Sequence, residues 1–175
     1  MVLPQGEAIS FFKMYLPLLH YAYATKYNVT FVGFKSLEIV EKMKAQNMLF
    51  KKPHLLDEYL FEKKLKGQDE EDIREIKKHV NSDFIILKNL SKYSVFMDIE
   101  NGGKLYGVIG ITDELIDILP FFPIIIQGVI FPFRNKLVCS GLFSNENVQL
   151  GPGIRRDLDE KYKEQKVMHG IALSL

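Results

Sequence analysis

Residues 124–143 read Ile124-Ile125-Ile126-Gln127-Gly128-Val129-Ile130-Phe131-Pro132-Phe133-Arg134-Asn135-Lys136-Leu137-Val138-Cys139-Ser140-Gly141-Leu142-Phe143. Two apolar runs rich in β-branched and aromatic residues flank a short polar tip, Arg134-Asn135-Lys136, which is the pattern of a β-hairpin. The runs are too continuous for strands with one wet face, so both faces are expected to be largely covered. The hairpin marks a core rather than a site.

Upstream of it the period is that of strands. Residues 84–90, 93–99 and 105–111 read as three successive strands, with 89–92 as the first turn and Glu100-Asn101-Gly102-Gly103 as the second, where Asn-Gly readily takes positive φ angles. Thr112 or Asp113 can cap a short helix over 114–119, which Pro120 and Pro123 end. Downstream, a short strand is expected at 148–150 and a sharp turn at Gly151-Pro152-Gly153. A closing helix then runs from Arg155 or Asp157 to Val167, with Leu158, Tyr162 and Val167 inward.

The first half is helical. Over residues 7–27, Ile9, Phe12, Leu16, Leu19 and Tyr23 recur at intervals of three and four, with Phe11, Tyr15, Leu18 and Ala22 on the adjoining stripe. Pro17 must kink this helix or open its second part, and His20 is expected to hydrogen-bond at the edge of the core. Residues 28–34 read as a connection with β-prone Val29, Phe31 and Val32. Further helices are expected from Ser36, as N-cap, to about Asn47, over 55–66 ending at Gly67, and over 70–80 with Ile73, Ile76 and Val80 inward. The Lys/Glu alternation over 58–78 reads as a solvated helix face.

The expected fold is therefore α+β. A helical N-terminal region, residues 1–82, packs on a mainly antiparallel β-sheet or small barrel of five to six strands, residues 83–175, closed by a C-terminal helix.

Composition narrows the function classes. The 23 basic and 22 acidic side chains nearly cancel, so no overall field draws the chain to nucleic acid or an anionic membrane. Cys139 is the one cysteine, which excludes an internal disulfide and a cysteine-based zinc site. With no signal peptide visible, a cytoplasmic location is expected. The longest nearly uncharged run, residues 118–133, holds three prolines and is shorter than the roughly 20 residues of a membrane helix.

Residues 106–113, 129–138 and 151–156, in this order and spacing, resemble a group of uncharacterised bacterial proteins, mostly from Firmicutes. Some of those are joined to a SEC-C-type zinc-binding tail or a Rho-N-like segment. The resemblance runs from about Phe12 to the C-terminus and implies a shared fold with no known activity. Relatives favour Asp where this chain has Ser140, and Trp near the position of Lys77. The cysteines that a SEC-C tail needs are missing here.

Catalytic signals are sparse. His20, His54, His79 and His169 form no metal-binding spacing, so no metal and no cofactor are expected. Cys139 lies in a strand context without a group to activate it. Asp98, Glu100, Asp113, Glu114 and Asp117 border the sheet, where two of them could form an acid/base pair. For anion or partner binding the candidates are Gly151, Gly153, Arg155 and Arg156, a glycine turn before a helix with two guanidinium groups. Arg134 and Lys136, a basic tip beside Phe131 and Phe133, are further candidates. The favoured expectation is a non-enzymatic binding or regulatory module for a protein or nucleic-acid partner. The alternatives are an enzyme built on loop carboxylates with Arg155 or Arg156, and a homo-oligomeric structural protein using the first helix or the apolar tail.

Overall fold

The computed structural model describes residues 1–119, 121–146 and 148–175. The chain divides into two compact units, Pro4–Lys78 and His79–Leu175, with Met1–Leu3 belonging to the second.

The first unit is built from α1 (Gln5–Ala24), α2 (Phe31–Lys35), α3 (Ile39–Lys51), α4 (His54–Lys63) and α5 (Gln68–Ile76). Phe11, Tyr15, Leu18, Leu19 and Ala22 of α1 are fully or almost fully buried. Burying each large side chain of this kind contributes roughly 1.5–3 kcal/mol. The Tyr15 hydroxyl donates to Gln46 Oε1 of α3 at 2.7 Å, both side chains being buried. Pro17 neither ends nor opens α1, which runs unbroken through it. At this position the ring supplies no N–H for the Lys13 carbonyl.

Several expected boundaries move for local reasons. The connection over 28–34 contains α2, because Thr30 accepts a hydrogen bond from the Gly33 N–H at 3.2 Å and so caps it. Ser36 is the C-cap of α2 rather than the N-cap of α3, which starts from Glu38. Lys64, in the left-handed region at φ 50°, ends α4 before Gly67 can. Val80 opens a strand instead of closing α5.

The second unit contains β1 (Val80–Asn89), β2 (Ser94–Asp98), β3 (Leu105–Ile109), α6 (Leu115–Ile118), β4 (Ile124–Phe133), β5 (Lys136–Cys139), β6 (Ser144–Glu146) and α7 (Pro152–His169). The fold is thus α+β, as expected. Glu114, without a side-chain bond, is the N-cap of α6 in place of Thr112 or Asp113, and Pro120, expected to end that helix, lies outside the described residues. The strand expected at 148–150 lies earlier, as β6.

Antiparallel pairs β1–β2, β2–β3, β5–β4 and β4–β1, with one parallel pair, β3–β5, close five strands into a ring, and β6 pairs with β4. A bulge between Ile86 and Lys88 lets β1 bend while pairing with both neighbours. A closed ring of five strands is a small-barrel architecture, which hosts many functions. Phe84, Ile86, Phe96, Val108, Ile124, Ile126, Ile130 and Leu137 pack together in one cluster. The hairpin of the opening stretch turns on two residues, Arg134 at φ 47° and Asn135 at φ 63°, so Lys136 already belongs to β5.

A second cluster gathers Leu87, Val95, Met97 and Leu105 under Tyr162 of α7, with Leu158 and Ile171 against it. These strand residues alternate with those of the first cluster, so α7 and the tail cover the opposite face of β1–β2–β3. Lys88 Nζ lies 3.9 Å from the Tyr162 ring centroid. Ala172 exchanges backbone hydrogen bonds with Leu105 and Gly107, both 2.9 Å. A Cβ on Gly107 would lie 2.6 Å from the Leu173 side chain, which is why glycine stands there. Val167, expected inward, is 87 % exposed, because α7 touches the barrel along a narrow line through Leu158 and Tyr162.

Candidate docking groove

Five side chains of α1, Ile9, Phe12, Lys13, Leu16 and Pro17, and two of α2, Phe31 and Lys35, enclose a groove of about 410 Å³ within the helical unit. On α1 these positions are spaced i, i+3, i+4, i+7 and i+8, a single stripe along two turns. The core stripe beside it carries Phe11, Tyr15, Leu18 and Ala22. Ile9 is 50 % exposed and Phe12, Leu16 and Pro17 are half-buried, so this stripe is not consumed by the core. The sequence pattern assigned Ile9, Phe12 and Leu16 to the inward face; their place is the groove wall.

The second wall is held by packing and by one polar contact. Phe34 of α2 is fully buried, and His20 Nε2 lies 2.8 Å from the Val29 carbonyl, tying α1 to the segment that leads into α2. The His20 ring stands 5.5 Å from Phe31 and 5.6 Å from Phe34. His20 therefore does sit hydrogen-bonded at the edge of a core. Lys35 Nζ lies 5.2 Å from the Phe31 ring centroid. Lys13 and Lys35 are exposed, and neither makes an ion pair among the described residues. The groove thus combines an apolar floor with two lysines, one from each wall.

The six residues singled out from sequence occupy two places. Gly151 is the N-cap of α7, and Gly153, Arg155 and Arg156 lie inside its first turn, because Pro152 opens the helix at its first position. There is no separate glycine turn before the helix. Arg155 Nε donates to the Leu150 carbonyl at 2.8 Å, and the Arg155 N–H bonds the Gly151 carbonyl at 3.0 Å, so this arginine ties down the helix start. Arg134 is the first residue of the β4–β5 turn and Lys136 the first of β5; both are half-buried and both have partners. The Arg134 guanidinium sits 5.0 Å from the Phe133 ring centroid.

The carboxylates at the sheet are separately engaged. Asp98 is fully buried: its Oδ1 accepts from Ser82 Oγ at 2.6 Å and from the N–H groups of Glu100 and Asn101 at 3.1 and 3.2 Å, and its Oδ2 accepts from Asn101 Nδ2 at 2.7 Å. Its place is to close the β2–β3 turn. Asp113 Oδ2 accepts from Thr112 Oγ1 at 2.7 Å, and Glu114 pairs with the terminal ammonium at 3.0 Å.

Cys139 is 2 % exposed, and burial pushes its thiol up to about 11, against a smaller lowering by a hydrogen bond with the Gly141 backbone. It lines a cleft of about 40 Å³ with Gly110, Thr112, Asp113 and Ser140, room for little more than a water molecule. Among the described residues no group of three or more His, Cys, Asp or Glu converges on a metal-sized site. No helix among them is long and apolar enough to cross a membrane.

Elsewhere in the helical unit, hydrogen bonds from Lys44 and then Tyr23 hold Glu41 below the usual carboxylate range. The same Glu41 contact pushes the Tyr23 phenol up to about 12. Burial and then Glu62 push Tyr21 up to about 12.

Neither a protein-family model, nor a curated protein, nor a solved structure matches the chain.

Proposed function

We propose that the chain is a recognition module that binds a protein partner through the α1–α2 groove. The observation that carries this is the stripe of exposed and half-buried Ile9, Phe12 and Leu16, running beside a core stripe on the same helix and bordered by two lysines without ion pairs. A contiguous exposed apolar surface with a charged rim is the usual anatomy of a docking site. The resemblance to bacterial proteins joined to accessory segments is in keeping with a module that works by recognition.

The test is a photo-crosslinking amino acid placed at position 9, and in a second protein at Val167 on the exposed side of α7, in the cells that make the protein. A partner captured from position 9, absent from position 167, and lost when Phe12 is changed to Ser supports the reading. Equal capture from both positions refutes it.

A nucleic-acid reading has one observation in its favour, the ring of five strands, since five-stranded barrels of the OB type bind oligonucleotides on the face of strands 2 and 3. In this chain α7 and the tail lie on that side of β1–β2–β3. Anisotropy titration of labelled single-stranded DNA and RNA at low salt decides it, because phosphate contacts are strongest there.

A further inference from the structure

We infer that the occupant of the α1–α2 groove is an amphipathic helix of another protein, with acidic residues beside its apolar anchors. This rests on the docking reading above and names the chemistry of its partner. The α1 wall presents Ile9, Phe12, Lys13, Leu16 and Pro17 over eight residue steps, about 12 Å of helix at 1.5 Å per residue. A second helix lying along that wall meets it with side chains at i, i+3 or i+4, and i+7. The groove is more open than enclosed. A small ligand needs 70–90 % of its surface covered for useful affinity, whereas a helix needs only one face covered.

The charges set the partner's flanks. Lys13 stands on one wall and Lys35 on the other, both exposed, with the Lys35 ammonium 5.2 Å from the Phe31 ring centroid. A helix with carboxylates on both sides of its apolar stripe places one acid near each ammonium; a basic helix meets repulsion from both walls.

The chain's own helices do not fit this description. The acidic helix α5 carries Asp69, Glu70, Glu71 and Asp72, but its apolar residues, Ile73 and Ile76, are fully buried in its own unit. Helix α7 exposes Ile154, Val167 and Met168 among charges of both signs, Arg155, Arg156, Lys161, Lys163 and Lys166 against Asp157, Asp159, Glu160 and Glu164, and so has no acidic excess. Helix α4 exposes Phe61 alone beside Asp57, Glu58 and Glu62, and α3 exposes Ile39 and Val40 only in its first turn, so among the described helices of a second copy none exposes apolar anchors at i, i+3 or i+4 and i+7 with an acidic excess.

The experiment selects from a displayed library of random 16-residue peptides on the immobilised full chain, and measures the enriched peptides in synthetic form by fluorescence anisotropy. The expected peptides carry apolar residues at helical spacing with an excess of Asp and Glu. Their affinity should fall roughly tenfold for the Lys13→Glu, Lys35→Glu double variant at low salt, two exposed charge pairs having been reversed. Changing the peptide's acids to Lys should restore binding to that variant. No enrichment, enriched peptides without an acidic excess, or equal binding to wild type and double variant overturns the inference. The Ile9→Asp variant separates the two levels. Peptides without an acidic excess that still depend on Ile9 leave the docking reading standing, whereas peptides indifferent to Ile9→Asp and Phe12→Ser remove that reading as well. Far-ultraviolet circular dichroism of each variant confirms its fold, which substitutions at exposed Ile9, Lys13 and Lys35 should leave intact.

Discussion

Replacing Asp98 tests whether the β2–β3 turn is held by directed hydrogen bonds. The side chain is fully buried and accepts four of them, but unequally: three converge on Oδ1 and one, from Asn101 Nδ2, reaches Oδ2. In Asp98→Ala all four donors lose their acceptor. Glu100 and Asn101 are exposed, so water can replace much of what they lose; Ser82 is 4 % exposed, and its hydroxyl keeps only a 3.4 Å approach to the Asp83 carbonyl. Leaving a buried donor unsatisfied costs about 1–3 kcal/mol, and the partly rehydrated donors add about 1 kcal/mol more, so Asp98→Ala should destabilise the barrel by about 2–4 kcal/mol. Asp98→Asn is a sharper probe. Its carbonyl can take the Oδ1 position and keep three bonds, while its amide faces Asn101, whose own amide can turn to present oxygen. The expected cost is about 1 kcal/mol. Urea unfolding followed by amide exchange at Phe96, Val108 and Ile126 reads the barrel without averaging over the helical unit. If Asp98→Asn costs as much as Asp98→Ala, the division of labour between the two oxygens is wrong; a loss below about 0.5 kcal/mol for Asp98→Ala removes the whole account.

Three further outcomes follow from single contacts. A Cβ on Gly110 would lie 2.0 Å from the Asp113 backbone oxygen, so Gly110→Ala must shift the main chain after β3 and should cost about 3 kcal/mol or more; an unchanged urea midpoint refutes this. With its thiol pushed up to about 11 and its side chain buried, Cys139 should resist a neutral disulfide reagent in the native protein at pH 7.5 and react at once in concentrated urea; rapid native labelling contradicts the packing. Tyr21 and Tyr23, both pushed up to about 12, should ionise well above the ordinary phenol value in a 295 nm titration. Because their folded values lie above the ordinary phenol value, their contribution to stability is fully present below about pH 10 and is lost as pH rises from 10 towards 12. Tyr23→Phe should reduce that alkaline loss, and an unchanged profile would show that its contact with Glu41 is not made in solution.

The parts of the fold legible in sequence are those whose signal is local. The continuous β-branched runs and the Asn101-Gly102 pair announce strands and a turn through their own backbone preferences, and β4, β5 and the β2–β3 connection stand where those preferences put them. Of the first four residues of β1, Val80 read as the end of a helix and Asn81, Ser82 and Asp83 as the boundary between the two regions, because the reason for Ser82 is sixteen residues away, in the carboxyl of Asp98. The edge strand β6, Ser144–Glu146, is exposed throughout and carries no apolar alternation. Ring closure is the least local feature of all. It depends on β1 meeting β4 across 38 to 50 residues, Ile86 with Ile124 and Val80 with Ile130, and on the one parallel pair, β3–β5, neither of which leaves a mark on either strand alone. The site candidates erred for a related reason. A Gly-Pro-Gly sequence before two arginines resembles a phosphate turn until Pro152 is placed at the first helical position, after which Arg155 serves the helix start.

Helix α1 shows what a sequence pattern leaves undecided even where the element itself is correctly placed. Its apolar residues form two adjoining stripes, of which the core takes in Phe11, Tyr15, Leu18 and Ala22 together with Leu19 and Tyr23, and leaves Ile9, Phe12 and Leu16 exposed or half-buried. Periodicity cannot choose between stripes of equal spacing, and in sequence the two read as one wide apolar face, expected to be largely buried. The distinguishing sign was nevertheless present. Lys13 sits between Phe12 and Leu16 in the second stripe, and an unpaired ammonium cannot be taken into a core at tolerable cost. No charged residue interrupts Phe11, Tyr15, Leu18 and Ala22. An amphipathic helix whose apolar band is wider than one core face, and whose surplus contains an uncompensated charge, has surface left over for something else. In this chain the surplus is the wall of the groove, and Lys35, contributed from α2 across the same opening, gives that wall its sign.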